Sequence, residues 1–315
     1  MTRSGPSSEL TGVPTCVPGP TVTTAPGSES SVRRPILLVQ NSINKLTIMK
    51  LITLLFLVAT LSLTVVSQTR AKGILLEDLT WIEAEKVLTE ETVVVIPLGA
   101  AAKEHGPHLK LKNDLLIAEY LKKRVLDQSN VVIAPTVNYH FYPAFLEYPG
   151  STSLRLETAR DLIVDIVKSL ARYGPRRFYV LNTGVSTLRA LQPAAESLAK
   201  EGLILRYTDL LKITGPVEKQ IGKQEGGTHA DEIETSMMLY MAPSTVDMKK
   251  AAKDYHPSSE RGLTRNPNGR GVYSATGIFG DATLATRAKG EQVTKALVTG
   301  ILKEIEDLRQ LPSQK

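Results

Sequence analysis

Val93-Val94-Val95-Ile96-Pro97 is followed closely by Glu104-His105-Gly106-Pro107-His108-Leu109-Lys110-Leu111-Lys112-Asn113-Asp114. The first run is short, apolar and β-branched, which predicts a buried strand. The second places four side chains able to ligate a metal or move a proton, Glu104, His105, His108 and Asp114, within eleven residues. An open α/β sheet keeps its active site at the carboxyl ends of its parallel strands. A strand that runs straight into such a cluster therefore predicts both the fold class and the place of the chemistry.

The chain from about residue 74 onward supports this. Residues 113–126 carry helical periodicity, with Leu115, Leu116, Ala118 and Leu121 inward and Asn113 or Asp114 as cap. Residues 131–137 read as a strand, and residues 156–173 as a long amphipathic helix stopped by Gly174. Further strands are predicted over 178–182 and 204–207, and helices over 188–200, 230–241 and 286–308. Strand–helix alternation at this spacing predicts an α/β domain, a parallel sheet with helices on both faces. Residues 256–283, rich in Gly, Pro, Asn and Ser, read as one long loop; such loops are usually functional.

The amino-terminal part reads differently. Residues 1–31 are rich in Ser, Thr, Pro and Gly, with too few apolar side chains to offset the entropy of ordering. Met49-Lys50 and the uncharged residues 51–66 have the form of a secretory signal peptide, a little short for a spanning helix. Small residues suited to cleavage follow at Val65-Val66-Ser67. Signals normally begin a chain, so translation is expected to start at Met49. Residues 1–48 would then be a disordered or mis-called extension, 49–67 the signal and 74–310 the folded α/β domain. The expected product is exported, periplasmic or secreted, with no stable membrane insertion after signal removal.

Cys16 is the sole cysteine and lies in the extension, which leaves no thiol for disulfides or thiolate metal sites. Metal chemistry is then restricted to oxygen and nitrogen ligands. The formal charge is +6, but residues 1–67 hold five basic and two acidic residues, leaving 33 basic against 30 acidic, or +3. With no basic run interleaved with aromatics, nucleic acid is not an expected partner.

Three more segments carry chemical groups. In Gly226-Gly227-Thr228-His229-Ala230-Asp231-Glu232-Ile233-Glu234-Thr235-Ser236, a glycine pair leads a histidine into a helix. Helical spacing sets His229, Glu232 and Ser236 along one side and Glu234 on another. Glu147-Tyr148-Pro149-Gly150-Ser151-Thr152-Ser153-Leu154 is a hydroxyl-bearing turn, and Asn182-Thr183-Gly184-Val185-Ser186-Thr187 closes a strand. Taken singly, each has a bland account: a helix cap, a macrodipole complement, polar loop histidines. Their number on one short chain weighs toward a site.

Together these segments resemble the creatininase (creatinine amidohydrolase) family. The family's Gly-Ser/Ala-x-Glu-x-His-Gly-x-His-Leu-x-x-x-x-Asp run is matched by Gly99-Ala100, His105-Gly106-Pro107-His108-Leu109 and Asp114. Its Phe-Pro-Gly-Thr-x-Ser-Leu resembles Tyr148–Leu154, and its His-Ala-Gly-Glu-x-Glu-Thr-Ser resembles His229–Ser236, with Asp231 for the Gly. Gly280-Asp281 through Lys289-Gly290 is similar to its closing stretch. The resemblance implies an α/β/α sandwich with a mostly parallel central sheet, a homo-oligomer (usually a hexamer) and a divalent metal centre, often binuclear, that hydrolyses C–N bonds. It implies His105 and Asp114 as ligands, with Asp114 bridging, and His229 as proton shuttle.

Two departures stand out. Lys103 occupies the place of the family's Glu, with Glu104 beside it. The family's Asn-Gly-His-x-x-Asn loop is replaced by Asn182–Thr187, which lacks both its His and its Glu. Such a centre would hold one ion, bind weakly, or recruit Glu234, Asp231 or His108. The resulting expectation is a metal-dependent amidohydrolase acting on a small cyclic or linear amide. One or two Zn, Mn or Fe ions would sit on Glu104, His105 and Asp114, with His229 and Glu234 catalytic and Ser151, Thr183 and Ser186 touching substrate. The competing expectation is a binding protein of the same fold whose metal site has decayed.

Overall fold

In the computed structural model, five parallel strands build the central sheet: β1 (Ile74–Leu75), β2 (Val93–Leu98), β3 (Val132–Ile133), β4 (Arg177–Asn182) and β5 (Ile204–Tyr207). Their order is β1-β3-β2-β4-β5, with every neighbouring pair parallel. The structure describes Asn44, Met49, Lys50, residues 71–258, Glu260 and residues 262–312. The remainder of the expected extension and signal peptide lies outside the described residues. Among the described residues no helix is long and apolar enough to cross a membrane.

β2 is central, and Val93, Val94, Val95, Ile96 and Leu98 are all fully buried. Side chains alternate across a strand, so this one segment seeds two cores. Val93 and Val95 pack with Ile117, Leu121 and Val125 of α2 (Asn113–Gln128), the helix that follows β2, whereas the short α1 (Trp81–Val87) precedes it. Val94, Ile96 and Leu98 face the other way, against α3 (Leu156–Ala171) and α4 (Leu188–Ala199). The first face also receives α5 (Leu210–Ile221), α6 (Glu232–Met241) and α7 (Arg287–Arg309). Each such buried Val or Ile contributes about 1.5–3 kcal/mol of apolar burial. The α/β/α sandwich expected from the alternation is thus present.

Several boundaries differ from the sequence reading, each for a local reason. The strand expected over 131–137 is cut to Val132–Ile133, because Pro135 has no N–H to give to a ladder. Val137 still bridges Leu98. The helix expected from Ala230 begins at Glu232: Ala230 is left-handed, with φ 49°, and Asp231 is the cap. Neither Asn113 nor Asp114 caps α2; Lys112 holds that position without a side-chain bond. Two helices escaped the sequence reading. Thr80 and Glu83 form a capping box at α1, and α5 runs through Gly215-Pro216. The long loop over 256–283 holds β7 (Leu263–Thr264) and β8 (Val272–Tyr273), while β9 (Gly280–Asp281) pairs with β6 (Lys253–Asp254).

One glycine fixes how the sheet presents its end. Gly99 follows β2 immediately, and a Cβ there would come within 2.7 Å of the Ala118 Cβ. Only glycine lets the strand end approach the first turn of α2 this closely. That approach brings residues 103–105 and Asp114 together.

Candidate functional site

The site lies where the end of β2, the first turn of α2 and the start of α6 converge. His105 Nδ1 is 2.8 Å from the Lys103 carbonyl oxygen, which can only accept, so the network assigns the proton to Nδ1. In the neutral ring Nε2 then carries a lone pair. That lone pair faces Asp114 Oδ1 at 2.8 Å and Glu234 Oε1 at 3.3 Å. Three electron-rich atoms so close together repel unless a positive centre, a proton or a metal ion, sits among them.

His229 is clasped from behind by the end of the long loop: Phe279 N–H donates to the His229 carbonyl at 2.9 Å. Its Nε2 is 3.0 Å from Glu104 Oε2, a bond that leaves Nδ1 directed toward Glu234 Oε2 at 3.7 Å. The Phe145 ring covers it, centroids 4.4 Å apart. Glu104 is fixed in turn. Its carboxylate accepts from the Gly106 N–H and its own N–H donates to Ser151 Oγ at 2.9 Å. It lies against Gly277, whose φ of 84° suits glycine and where a Cβ would collide with the carboxylate.

Glu234 accepts from Asn113 Nδ2 at 2.8 Å and from the Ala230 N–H at 2.7 Å. The left-handed turn at Ala230 swings this donor toward the site, a local strain of the kind stored at functional positions. Among the described residues, ligand atoms of His105, His229 and Glu234 lie within 4.8 Å of one another and could hold one metal ion.

Charges crowd here. Burial would raise the Asp114 carboxyl, but Lys103 first and then His105 outweigh it and hold it well below the usual carboxylate range. Burial opposes ionisation of Glu234 as well, and His105, His229 and Lys103 bring it below its ordinary value. Two buried carboxylates, Glu104 and Asp114, and the part-buried Glu234 share the cluster with one ammonium, that of Lys103. With neutral imidazoles two negative charges remain uncompensated, which one divalent cation would cancel. Donor set, lone-pair geometry and charge all fit a metal.

The other sequence candidates sit elsewhere. His108 turns away to Thr235 Oγ1 at 2.8 Å, and burial lowers it to about 4. Asp231 caps α6 through the N–H groups of Ile233 and Glu234, and burial raises it to about 6. Glu232, expected on the side of His229, pairs instead with Lys289. Of the three groups available for recruitment, Glu234 alone reaches the cluster. Thr183 donates to the Leu98 carbonyl at 3.0 Å and Ser186 to that of Phe141 at 2.9 Å; both line the cavity above. Ser151 lies under Glu104, outside that lining.

The cavity has a volume of about 660 Å³. Lys103, His229 and Glu234 bring the clustered charges to its lining, alongside other polar groups such as Arg189 and Glu218, and Pro143, Phe145, Leu210, Leu211, Ile233 and Met237 form much of its apolar wall. A hollow of about 740 Å³ beside β5 and α7 holds none of the clustered groups, so size alone does not mark the site. Sequence reasoning missed Asn113 and Phe145 as site residues, and saw in Lys103 only a missing carboxylate.

A sequence model of the family described as Creatininase, creatinine amidohydrolase, matches residues 77–305. The chain belongs to the creatininase family. It is 27% identical over 256 residues to the creatinine amidohydrolase of Pseudomonas putida, covering 75% of this chain and 98% of that one. It is 28% identical over 215 residues to the mycofactocin precursor peptide peptidase of Mycolicibacterium smegmatis, covering 66% and 82%. A solved creatininase in a manganese form is 25% identical, with a TM-score of 0.63, and covers 76% of this chain and 100% of its own. A Zn–Zn creatininase variant is also 25% identical, with a TM-score of 0.62 over 76% and 99%. Family and fold are therefore shared, and the relatives are hydrolases of amide bonds by name.

Proposed function

We propose that this creatininase-family chain is a metal-dependent amidohydrolase that cleaves a C–N bond of a small cyclic or linear amide. The observation that carries the reading is the convergence of His105, His229 and Glu234, the last two lining the cavity, amid two surplus negative charges. We assign the ion, one of Zn, Mn or Fe, to these three side chains. A divalent ion bound there supplies a Lewis acid and lowers the pKa of bound water from ~15.7 toward ~7.

The chain's own residues do the rest. The Lys103 carbonyl fixes the His105 tautomer, and Glu104 does the same for His229. Asn113 and the Ala230 N–H hold Glu234 on its mark. Lys103 adds a fixed positive charge to the cavity lining, which would favour a carbonyl oxygen there as it gains negative charge. Pro143, Phe145, Leu211 and Met237 favour an amide with an apolar body and restrict water.

The test is turnover of a panel of lactams, formamides and short peptides by chelator-stripped protein, before and after adding Zn²⁺, Mn²⁺ or Fe²⁺. Turnover that appears with metal and vanishes with chelator is the expected result; turnover indifferent to both overturns the reading. His229→Gln separates two roles. Loss of bound metal identifies a ligand, whereas retained metal with a fall of roughly 10²–10⁴-fold returns His229 to proton transfer.

A second reading, a binding protein with a decayed centre, draws on the Thr183–Thr187 hydroxyls having replaced ligands and on Lys103 pairing with Asp114. Absence of turnover across the panel under every metal would favour it. The proposed working form is an exported homo-oligomer. Native amino-terminal sequencing and light scattering test those two points.

A further inference from the structure

Resting on the metal-dependent reading above, we propose that the Lys103 ammonium takes the place of a second metal cation, so that the centre holds a single divalent ion per chain. Lys103 is a buried lysine, its side chain only 7% exposed, reaching inward from the loop after β2. Its Nζ lies 2.7 Å from Asp114 Oδ2 and 4.8 Å from the Phe145 ring centroid. The other Asp114 oxygen is occupied by His105 at 2.8 Å. The carboxylate that could link two metal ions is thus shared between an imidazole and an ammonium.

Electrostatics then decides the count. Glu104, Asp114 and Glu234 bring three negative charges and Lys103 brings one positive. One divalent ion on His105, His229 and Glu234 closes that balance. A second would leave two positive charges in excess within a buried pocket, with no further ligand from residues 182–187, whose polar groups bond to backbone or to each other. Replacing Lys103 by Glu moves the tally to four negative charges, which two divalent ions match.

The experiment measures metal per chain rather than turnover. Purified protein stripped by chelator is titrated with Zn²⁺ and with Mn²⁺ by calorimetry, and loaded samples are analysed by plasma mass spectrometry. The expected ratios are one ion per chain in the natural protein and two in Lys103→Glu. Two ions per chain in the natural protein overturn the inference and leave the metal-dependent reading intact. No ion in the natural protein overturns both. One ion in a folded Lys103→Glu also overturns the inference, because the lysine would then not be what excludes the second.

If Lys103→Glu does not fold, Lys103→Gln carries the test. Removing a neighbouring cation should tighten binding of the single ion by about tenfold or more. Unchanged or weaker binding counts against the proposal.

Discussion

The two halves of the site are built on opposite terms. On the β2 side, His105, Asp114 and Lys103 close on one another at 2.7–2.8 Å, and little charge is left over. On the α6 side, His229 and Glu234 stand 3.7 Å apart, face the cavity and hold negative charge with no ammonium of their own. The closed half has the signature of a structural ion cluster, and the open half that of a site waiting for a partner. Substitution of Asp114 or Lys103 should therefore weigh first on stability, and of His229 or Glu234 first on activity, with His105 joining the two halves.

Glu234→Gln is the sharpest probe of the open half. Activity should fall by about 10³-fold or more, roughly 4 kcal/mol, measured as kcat/KM on the best amide of the panel. The metal-free melting point should hold or rise, because a surplus charge in a part-buried cluster is gone. Next, Lys103→Met should cost about 3–5 kcal/mol in denaturant unfolding, because the buried Asp114 carboxylate loses its ammonium partner. If the two variants lose stability alike, the contrast between the halves is broken.

Acid sharpens the picture at a distance from the site. His140 is fully buried, and burial lowers it to about 4 against about 6.5 when unfolded. A histidine depressed in the fold contributes its full stability above pH 6.5 and loses it as pH falls toward 4. His108 behaves likewise, while Asp231, raised to about 6, favours the fold more strongly as pH falls over much of the same window. Two histidines outweigh one aspartate, so stability should drop between pH 6.5 and 4. In His140→Gln that drop should be smaller by about 2–3 kcal/mol, read from urea midpoints at each pH.

The smallest expected effect is at Ala230. Glycine tolerates its left-handed backbone, and Ala230→Gly should stabilise by about 1 kcal/mol in thermal unfolding. A loss instead would show that the Ala230 methyl's packing outweighs the strain.

How much of this was legible in residues alone follows from what each signal depends on. Val93–Pro97 and the glycine-stopped helices announce themselves through local periodicity, and the layered fold followed from them. His105, Asp114, His229 and Glu234 were visible as chemical types near element ends. Which of them meet was not, since that depends on one backbone angle at Ala230 and on the close approach at Gly99. Lys103 shows the limit plainly: the sequence marked a missing carboxylate, but only tertiary packing reveals an ammonium folded back onto Asp114. Asn113 reads as a helix cap from its residue type and place; in the fold its amide is diverted to Glu234.

Residue 103 serves the site twice, through its carbonyl to His105 and through its side chain to Asp114. The first service survives any side chain, so an exchange there can reverse the sign of a buried charge without unseating the imidazole. Lysine and glutamate codons differ by a single base. The number of ions a lineage carries is in that sense within one mutational step, which makes this position a place where new substrate preferences could arise without rebuilding the scaffold.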